Sequence, residues 1–303
     1  MWAMPTVTDE DLLAVERAIR CGIETRSTEG LTVLGLGELG LAVGWPTDDP
    51  VAVCKRQAPG PEDQLDADLE RMGRFREALV AAGAAVVPTV IRTVRNDAGT
   101  RVPYLIQPKV DPAHLAENVI ATSEPSATHA LLISVRDTVT TVVRDDEAGG
   151  LSLDAQITNF AWDGERATLL DLTPVLIWDA ASGPMHEIGN YLTAVPYVLR
   201  PAATALTRRS GADYRTVRGV LRQTVVYLWR IGQDRWVDAA LQCFNEVVDE
   251  PITYAEVDAA FTRVGRDLPM IKRLARVQRM WATHVRKQPY EFFITNSFTG
   301  DVY

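Results

Sequence analysis

Cysteine is scarce: the 303 residues carry three, Cys21, Cys54 and Cys243. They lie far apart, form no C-x-x-C, and have no Cys/His cluster beside them, which argues against a structural zinc site. Free thiols of this kind fit a reducing cytoplasm, where the chain is expected to reside. His114, His129, His186 and His284 show no mutual metal spacing. Positive charge is also in short supply, with 31 Lys and Arg against 40 Asp and Glu and a net charge of -9. An acidic chain is poorly suited to nucleic acid, whose phosphates need a positive surface. No window approaches 18 uncharged apolar residues, so no membrane span is expected. The opening "MWAMPTVTDEDLL" lacks the basic and apolar regions of a secretory signal. Repeats and low-complexity segments are absent as well.

What is present is ordinary for a folded protein: 47% hydrophobic and 23% charged residues, over a length sufficient for two lobes. Thr8 followed by Asp11 reads as a cap opening an amphipathic helix to about Arg20. Three β-like segments follow, 31–35, 41–45 and 51–55, the last two separated by the turn "PTDDP". A strong helix is expected over 62–82, with Leu65, Leu69, Met72, Phe75 or Arg76, and Leu79 on one stripe. "VVPTVIRTV" and "VPYLIQPKV" read as two more strands joined by "RNDAGT". Beyond Asp111 the texture changes. A helix is expected over 126–146, then a strand–turn–strand element in "LSLDAQITNFAWDGERATLLDLTP". From His186 onward the pattern is helical, with breaks at Pro201, Gly211, Gly232, Pro251 and Pro269.

Residues 31–55, "LTVLGLGELGLAVGWPTDDPVAVCK", contain G-x-G-x-x-G at Gly35, Gly37 and Gly40. Such a loop serves dinucleotide-binding folds when its third glycine opens a helix, and kinase folds when it turns between two antiparallel strands. A helix here would run into Gly44 and Pro46, at ~1 and ~3 kcal/mol against alanine. The loop is therefore expected to return as a strand.

Lys55 ends the strand after that loop, in "VAVCK". Asp154 and Asn159 stand five apart in "LDAQITNF", and twelve residues beyond Asn159 "LLDLTP" places Asp171 after an apolar strand. In order and spacing these segments resemble the V-A-I-K, H-x-D-x-x-x-x-N and D-F-G segments of the protein-kinase-like fold. The short "DGER" turn and the lack of an A-P-E segment make the likeness closest to aminoglycoside and other small-molecule phosphotransferases. The resemblance covers most of the chain to about Pro174. It implies an α+β, bilobal fold: a β-rich N-terminal lobe with one long helix over 1–110, and a mainly helical C-terminal lobe over 111–303. It further implies a phosphotransferase that uses ATP and Mg2+ on a hydroxyl of a small molecule. Gly35, Gly37 and Gly40 would cover the phosphates. Lys55 would steer the α- and β-phosphates, clamped by Glu70, with Asp66, Asp68 and Glu77 as alternatives. "PYLIQPKV", with Gln107 in it, matches the hinge whose backbone meets adenine. Asp154 would orient the acceptor hydroxyl, and Asn159 and Asp171 would hold the metal.

Three departures from that pattern define alternatives. Ser152 stands where the family has a bracing histidine, Gln156 where many protein kinases place a lysine, and Thr173 with Pro174 follow Asp171. They point to a pseudokinase-like nucleotide- or partner-binding protein as the rival. A kinase acting on Ser or Thr of a peptide is a third reading, supported by the basic segment 263–287, which could meet a peptide or protein partner. Asp179 and Glu187 lie where phosphotransferases place acidic substrate contacts. Cys54, next to Lys55 on a strand, is expected on the opposite, core-facing side.

Overall fold

The computed structural model describes residues 2–25, 27–36, 40–57, 59, 62–146, 149–172, 177–179, 183–184 and 213–287. Gly37, Thr173, Pro174, Glu187, Pro201 and Gly211 lie outside them. The protein is α+β, with a five-stranded antiparallel sheet. The chain divides into two compact units, one of Met1–Glu70, Val87–Lys109 and Ile271–Tyr303, the other of Arg71–Val86 and Val110–Met270. The chain passes from one to the other between 70 and 71, 86 and 87, 109 and 110, and 270 and 271. The helix over 62–81 and the helix over 254–280 each contribute to both units, a division that no local pattern in the chain marks.

The first unit opens with α1 (Asp9–Thr25), one turn longer than its pattern suggested. Thr8 and Asp11 cap it reciprocally: Asp11 Oδ2 accepts from Thr8 N at 2.7 Å, and Thr8 Oγ1 accepts from Asp11 N at 3.1 Å. The sheet follows as β1 (Thr32–Leu36), β2 (Gly40–Trp45), β3 (Ala52–Gln57), β4 (Val90–Arg95) and β5 (Arg101–Pro108), in the order β1-β2-β3-β5-β4. α1 lays Leu12, Val15 and Ile19 on the sheet face that carries Leu41, Val43, Cys54, Val102 and Ile106. Fully burying one such apolar side chain contributes about 1.5–3 kcal/mol. Cys54 is a core residue, fully enclosed, and burial pushes its thiol up to about 12.

The helix α2 (Glu62–Ala81) buries Leu65, Phe75 and Leu79, so Phe75 rather than Arg76 completes the stripe. Gly83, at φ 97, takes the left-handed conformation that ends it.

In the second unit, α3 (Ala116–Thr122) precedes α4 (Ala130–Val142). The helix expected to run to 146 stops at Val142, where the β-branched run Thr140 to Val143 weakens helix propensity. Arg144–Asp146 is instead a strand, β6, paired with β7 (Gly149–Leu151). β8 (Phe160–Trp162) and β9 (Ala167–Leu169) form the expected hairpin. Beyond it, β10 (Ile177–Asp179) pairs with β7 and with the short β11 (Gly183–Pro184).

The helices α5 (Val217–Arg230), α6 (Val237–Phe244) and α7 (Tyr254–Met280) follow. Gly232, at φ 73, closes α5. Pro269 does not break α7, contrary to expectation. Both Pro269 and Gly265, whose carbonyl the proline leaves without a donor, are exposed, so water can take that carbonyl.

Candidate functional site

In the first unit the glycine loop joins β1 to β2 as an antiparallel hairpin, with Gly35 opposite Ala42. This excludes the dinucleotide-type strand–loop–helix. A Cβ on Gly40 would sit 2.8 Å from the Arg56 carbonyl oxygen, so that glycine is required by close approach to β3. A Cβ on Gly35 would meet Ala42 Cβ at 3.7 Å, an ordinary contact. Gly37 is outside the described residues.

β3 carries Lys55 opposite Ala42 and Leu105. Strand alternation puts Cys54 and Arg56 toward α1 and Lys55 toward the other face, where it is half-buried. Glu70 lies on the exposed side of α2. Of the alternatives to it, Asp66 is paired with Arg101 at 2.8 Å. Gln107 is buried and donates its Nε2 to Thr89 Oγ1 at 3.0 Å. Its backbone faces Val53, two residues from the Lys109 N–H bond to the Val51 carbonyl. The alternation of an antiparallel ladder makes both of these hydrogen-bonded pairs, so the backbone of Gln107 serves β3.

Sequence reading missed the polar group beneath Lys55. Arg56 donates through Nε to Glu16 Oε2 at 2.7 Å and through a terminal nitrogen to Oε1 at 3.0 Å. Tyr104 donates to Oε2 at 2.6 Å and Asn96 to Oε1 at 3.4 Å. Burial works to raise the Glu16 carboxyl, but the Arg56 charge and these donors hold it below the usual value. The only signal in sequence was a glutamate at the i+4 position of the apolar stripe of α1.

The second unit brings Asp154, Asn159 and Asp171 together. Leu153, Ala155 and Ile157 are buried, while Asp154, Gln156 and Thr158 between and beside them are half-buried. The β8–β9 hairpin pairs Phe160 with Leu169, and the Leu170 N–H extends the ladder one step to the Asn159 carbonyl at 2.8 Å. Asn159 and Asp171 therefore flank the same open end. Asn159 Nδ2 donates to the Asp154 backbone carbonyl at 3.1 Å, which makes Oδ1 the end that an ion could take.

The Asp154 carboxyl accepts from Gln156 Nε2 at 2.7 Å and from the Tyr214 hydroxyl at 3.3 Å. Burial first, and the Asp171 carboxylate second, push it up to about 7. A carboxyl held there exchanges its proton near neutrality. One carboxylate and one amide oxygen at a hairpin end suit a hard cation that keeps water and phosphate oxygens as its other ligands. Ser152 is fully enclosed and its hydroxyl has no hydrogen-bond partner among the described residues. Tyr214 was invisible in sequence, being 60 residues beyond Asp154 with no motif around it.

The architecture thus defined is an α+β protein with an acid–amide cluster at the open end of a hairpin. Residues 49–185 match the model of a family described only as a family of unknown function, DUF6206. The matched stretch begins after the glycine hairpin and ends before Tyr214. No curated protein matches the chain. Among the described residues, no helix is long and apolar enough to cross a membrane.

Proposed function

We propose that the protein is an ATP- and magnesium-dependent phosphotransferase acting on a hydroxyl of a small molecule, on a bilobal kinase-like fold. The observation that supports this best is the meeting of Asp154, Asn159 and Asp171 at one end of the β8–β9 hairpin. Asp154 takes the acceptor proton as the acceptor oxygen bonds the γ-phosphorus and the bond to the β-phosphate oxygen breaks, releasing ADP. Magnesium, held by Asn159 and Asp171, would neutralise phosphate charge. Gly35, Gly37 and Gly40 would offer backbone N–H groups, and Lys55 a cation, to the nucleotide phosphates. Most of the rate enhancement then comes from placement and charge rather than covalent chemistry.

A pseudokinase-like binding protein is the second reading. The Gln156 bond to Asp154 favours it, because that neutral amide is engaged with the acid and adds no charge at a phosphate. A peptide acceptor, met through 263–287, is the remaining form of the enzyme proposal.

The test is thermal unfolding with and without MgATP, on wild type and Asp171→Ala. A ligand at 100 times its Kd stabilises by about 2.7 kcal/mol, at roughly 2–4 °C per kcal/mol for a chain of this order. A magnesium-dependent rise of several degrees, lost in the variant, supports the metal–nucleotide site. No rise at millimolar MgATP removes it.

A further inference from the structure

We infer that Tyr214 is a positioning residue for Asp154, held in place by α5 and standing in for the bracing group that Ser152 cannot supply. The inference rests on the phosphotransfer reading of the same site.

Ser152 occupies the position two before Asp154, but its hydroxyl is enclosed without a partner among the described residues. Two donors reach the Asp154 side chain from elsewhere, Gln156 on Oδ2 and Tyr214 on Oδ1. Gln156 travels with the same loop, so it cannot fix that loop against the rest of the fold. Tyr214 can, because it belongs to a separate 3-10 turn, Asp213–Arg215.

α5 ties that turn and the Asp154 loop to one rigid element. Toward the turn, Arg222 pairs with Asp213 Oδ1 at 2.5 Å and Gln223 donates to Asp213 Oδ2 at 2.6 Å. Gly219 lets the helix approach so closely that a Cβ would lie 1.9 Å from the Asp213 carbonyl oxygen. Toward the loop, Thr224 donates to the Ala155 carbonyl at 2.9 Å, and Thr158 donates to the Tyr227 hydroxyl at 3.3 Å. Positions 219, 222, 223, 224 and 227 are five points on one helix, so the separation of Tyr214 from Asp154 is set by a rigid ruler. Holding a reacting group within a fraction of an ångström is what such supports supply.

The experiment is a double-mutant cycle of Tyr214→Phe and Asp154→Asn, read by thermal unfolding and by MgATP turnover with water as acceptor. Tyr214→Phe removes one oxygen and keeps the ring. The expected result is a fall in kcat of about tenfold, the scale of one hydrogen bond. KM for ATP should stay within about twofold, and Tyr214→Phe should have no further effect on kcat in the Asp154→Asn background. The melting temperatures should be non-additive in the same cycle. Wild-type kcat in Tyr214→Phe, or a loss carried by KM instead, overturns the inference. Additive melting temperatures also overturn it, whether or not ATP is turned over. A wild type that neither gains stability from MgATP nor turns it over defeats the phosphotransfer reading and with it the positioning role, even where the melting cycle shows that the contact exists.

Discussion

Arg56 and Glu16 meet inside the first unit with both side chains 0% exposed, their closest atoms 2.7 Å apart. Arg56 is the neighbour of Lys55 on β3, so the pair fixes which of two adjacent cations enters the core. A one-residue slip of β3 would exchange them and bury Lys55 against α1. A buried pair of this kind gives little net stability against a hydrophobic replacement, but breaking it strands a charge.

Glu16→Gln is therefore expected to cost about 3–5 kcal/mol, a large part of the roughly 5–15 kcal/mol that holds a folded domain. The double variant Glu16→Leu, Arg56→Met should recover most of that loss. Chemical denaturation of wild type, Glu16→Gln and the double variant decides it: a double variant no more stable than Glu16→Gln would show that the ion pair itself stabilises.

The glycines separate in a second test. Gly40→Ala pushes a methyl to 2.8 Å from the Arg56 carbonyl oxygen, a backbone atom that cannot yield without moving β3. Overpacking of this sort costs about 1–3 kcal/mol. Gly35→Ala makes an ordinary 3.7 Å contact and should leave the fold intact. Melting curves should show a loss of several degrees for the first and little for the second. A loss of nucleotide binding in Gly35→Ala would then be read as an effect on phosphate contact, and equal melting losses would contradict the assignment.

Asp154 gives a pH signature. Its carboxyl is raised to about 7 in the fold against about 3.9 in an unfolded chain. The folded state therefore holds the proton more tightly, and the stability of this group is complete below about pH 4 and lost as pH rises to 7. Asp154→Asn does not ionise, so it should gain on wild type across that window and level off above pH 7. How the amide settles against Gln156 sets a constant offset, so the readout is the change with pH. Curves that stay parallel from pH 4 to 8 would mean that Asp154 ionises normally.

Glu256 behaves in the opposite sense. It caps α7 by accepting from Thr253 N at 2.9 Å and takes both oxygens to Arg218, at 2.7 and 2.8 Å. The Arg218 hydrogen bonds first, and the Thr253 backbone second, lower its carboxyl to about 2. A depressed carboxyl stabilises above its unfolded value and loses that contribution as pH falls toward 2. Wild type should be more stable than Glu256→Gln at pH 6, with the two converging below pH 4. A gap unchanged down to pH 2.5 would count against the pairing.

The cap of α1, the helix α2 and the strands of the five-stranded sheet were largely legible because their signals are local. Thr8 with Asp11, the stripe from Leu65 to Leu79, and Gly44 with Pro46 each act within a few residues, so the cap, α2 and the returning β2 could be read directly. Asp154, Asn159 and Asp171 were legible through their order, since one hairpin brings the last two together. Tyr214, Gly219 and the Glu16–Arg56 pair were not, because each works through a partner between 6 and 60 residues away with no spacing rule. Gln107 was assigned to adenine from its motif, while its register opposite Val53 commits its backbone to the sheet.

Gly219 sets two effects of opposite sign against each other. It lies inside α5, where alanine is favoured over glycine by up to about 1 kcal/mol. Propensity alone makes Gly219→Ala stabilising. The added methyl, however, would lie 1.9 Å from the Asp213 carbonyl oxygen, 2.8 Å from its carbon and 3.0 Å from Thr216 Oγ1. Two of those atoms are backbone, and Thr216 Oγ1 is the cap that accepts from the Gly219 N–H at 3.0 Å. Relief requires the 213–215 turn to move off the helix, which costs about 1–3 kcal/mol and carries Tyr214 away from Asp154. The clash outweighs the propensity, so Gly219→Ala should melt lower than wild type by roughly 2–4 °C per kcal/mol lost. It should also lower MgATP turnover in the way Tyr214→Phe does. A higher melting temperature would mean that the turn yields freely, and the helix would then be no ruler for the acid.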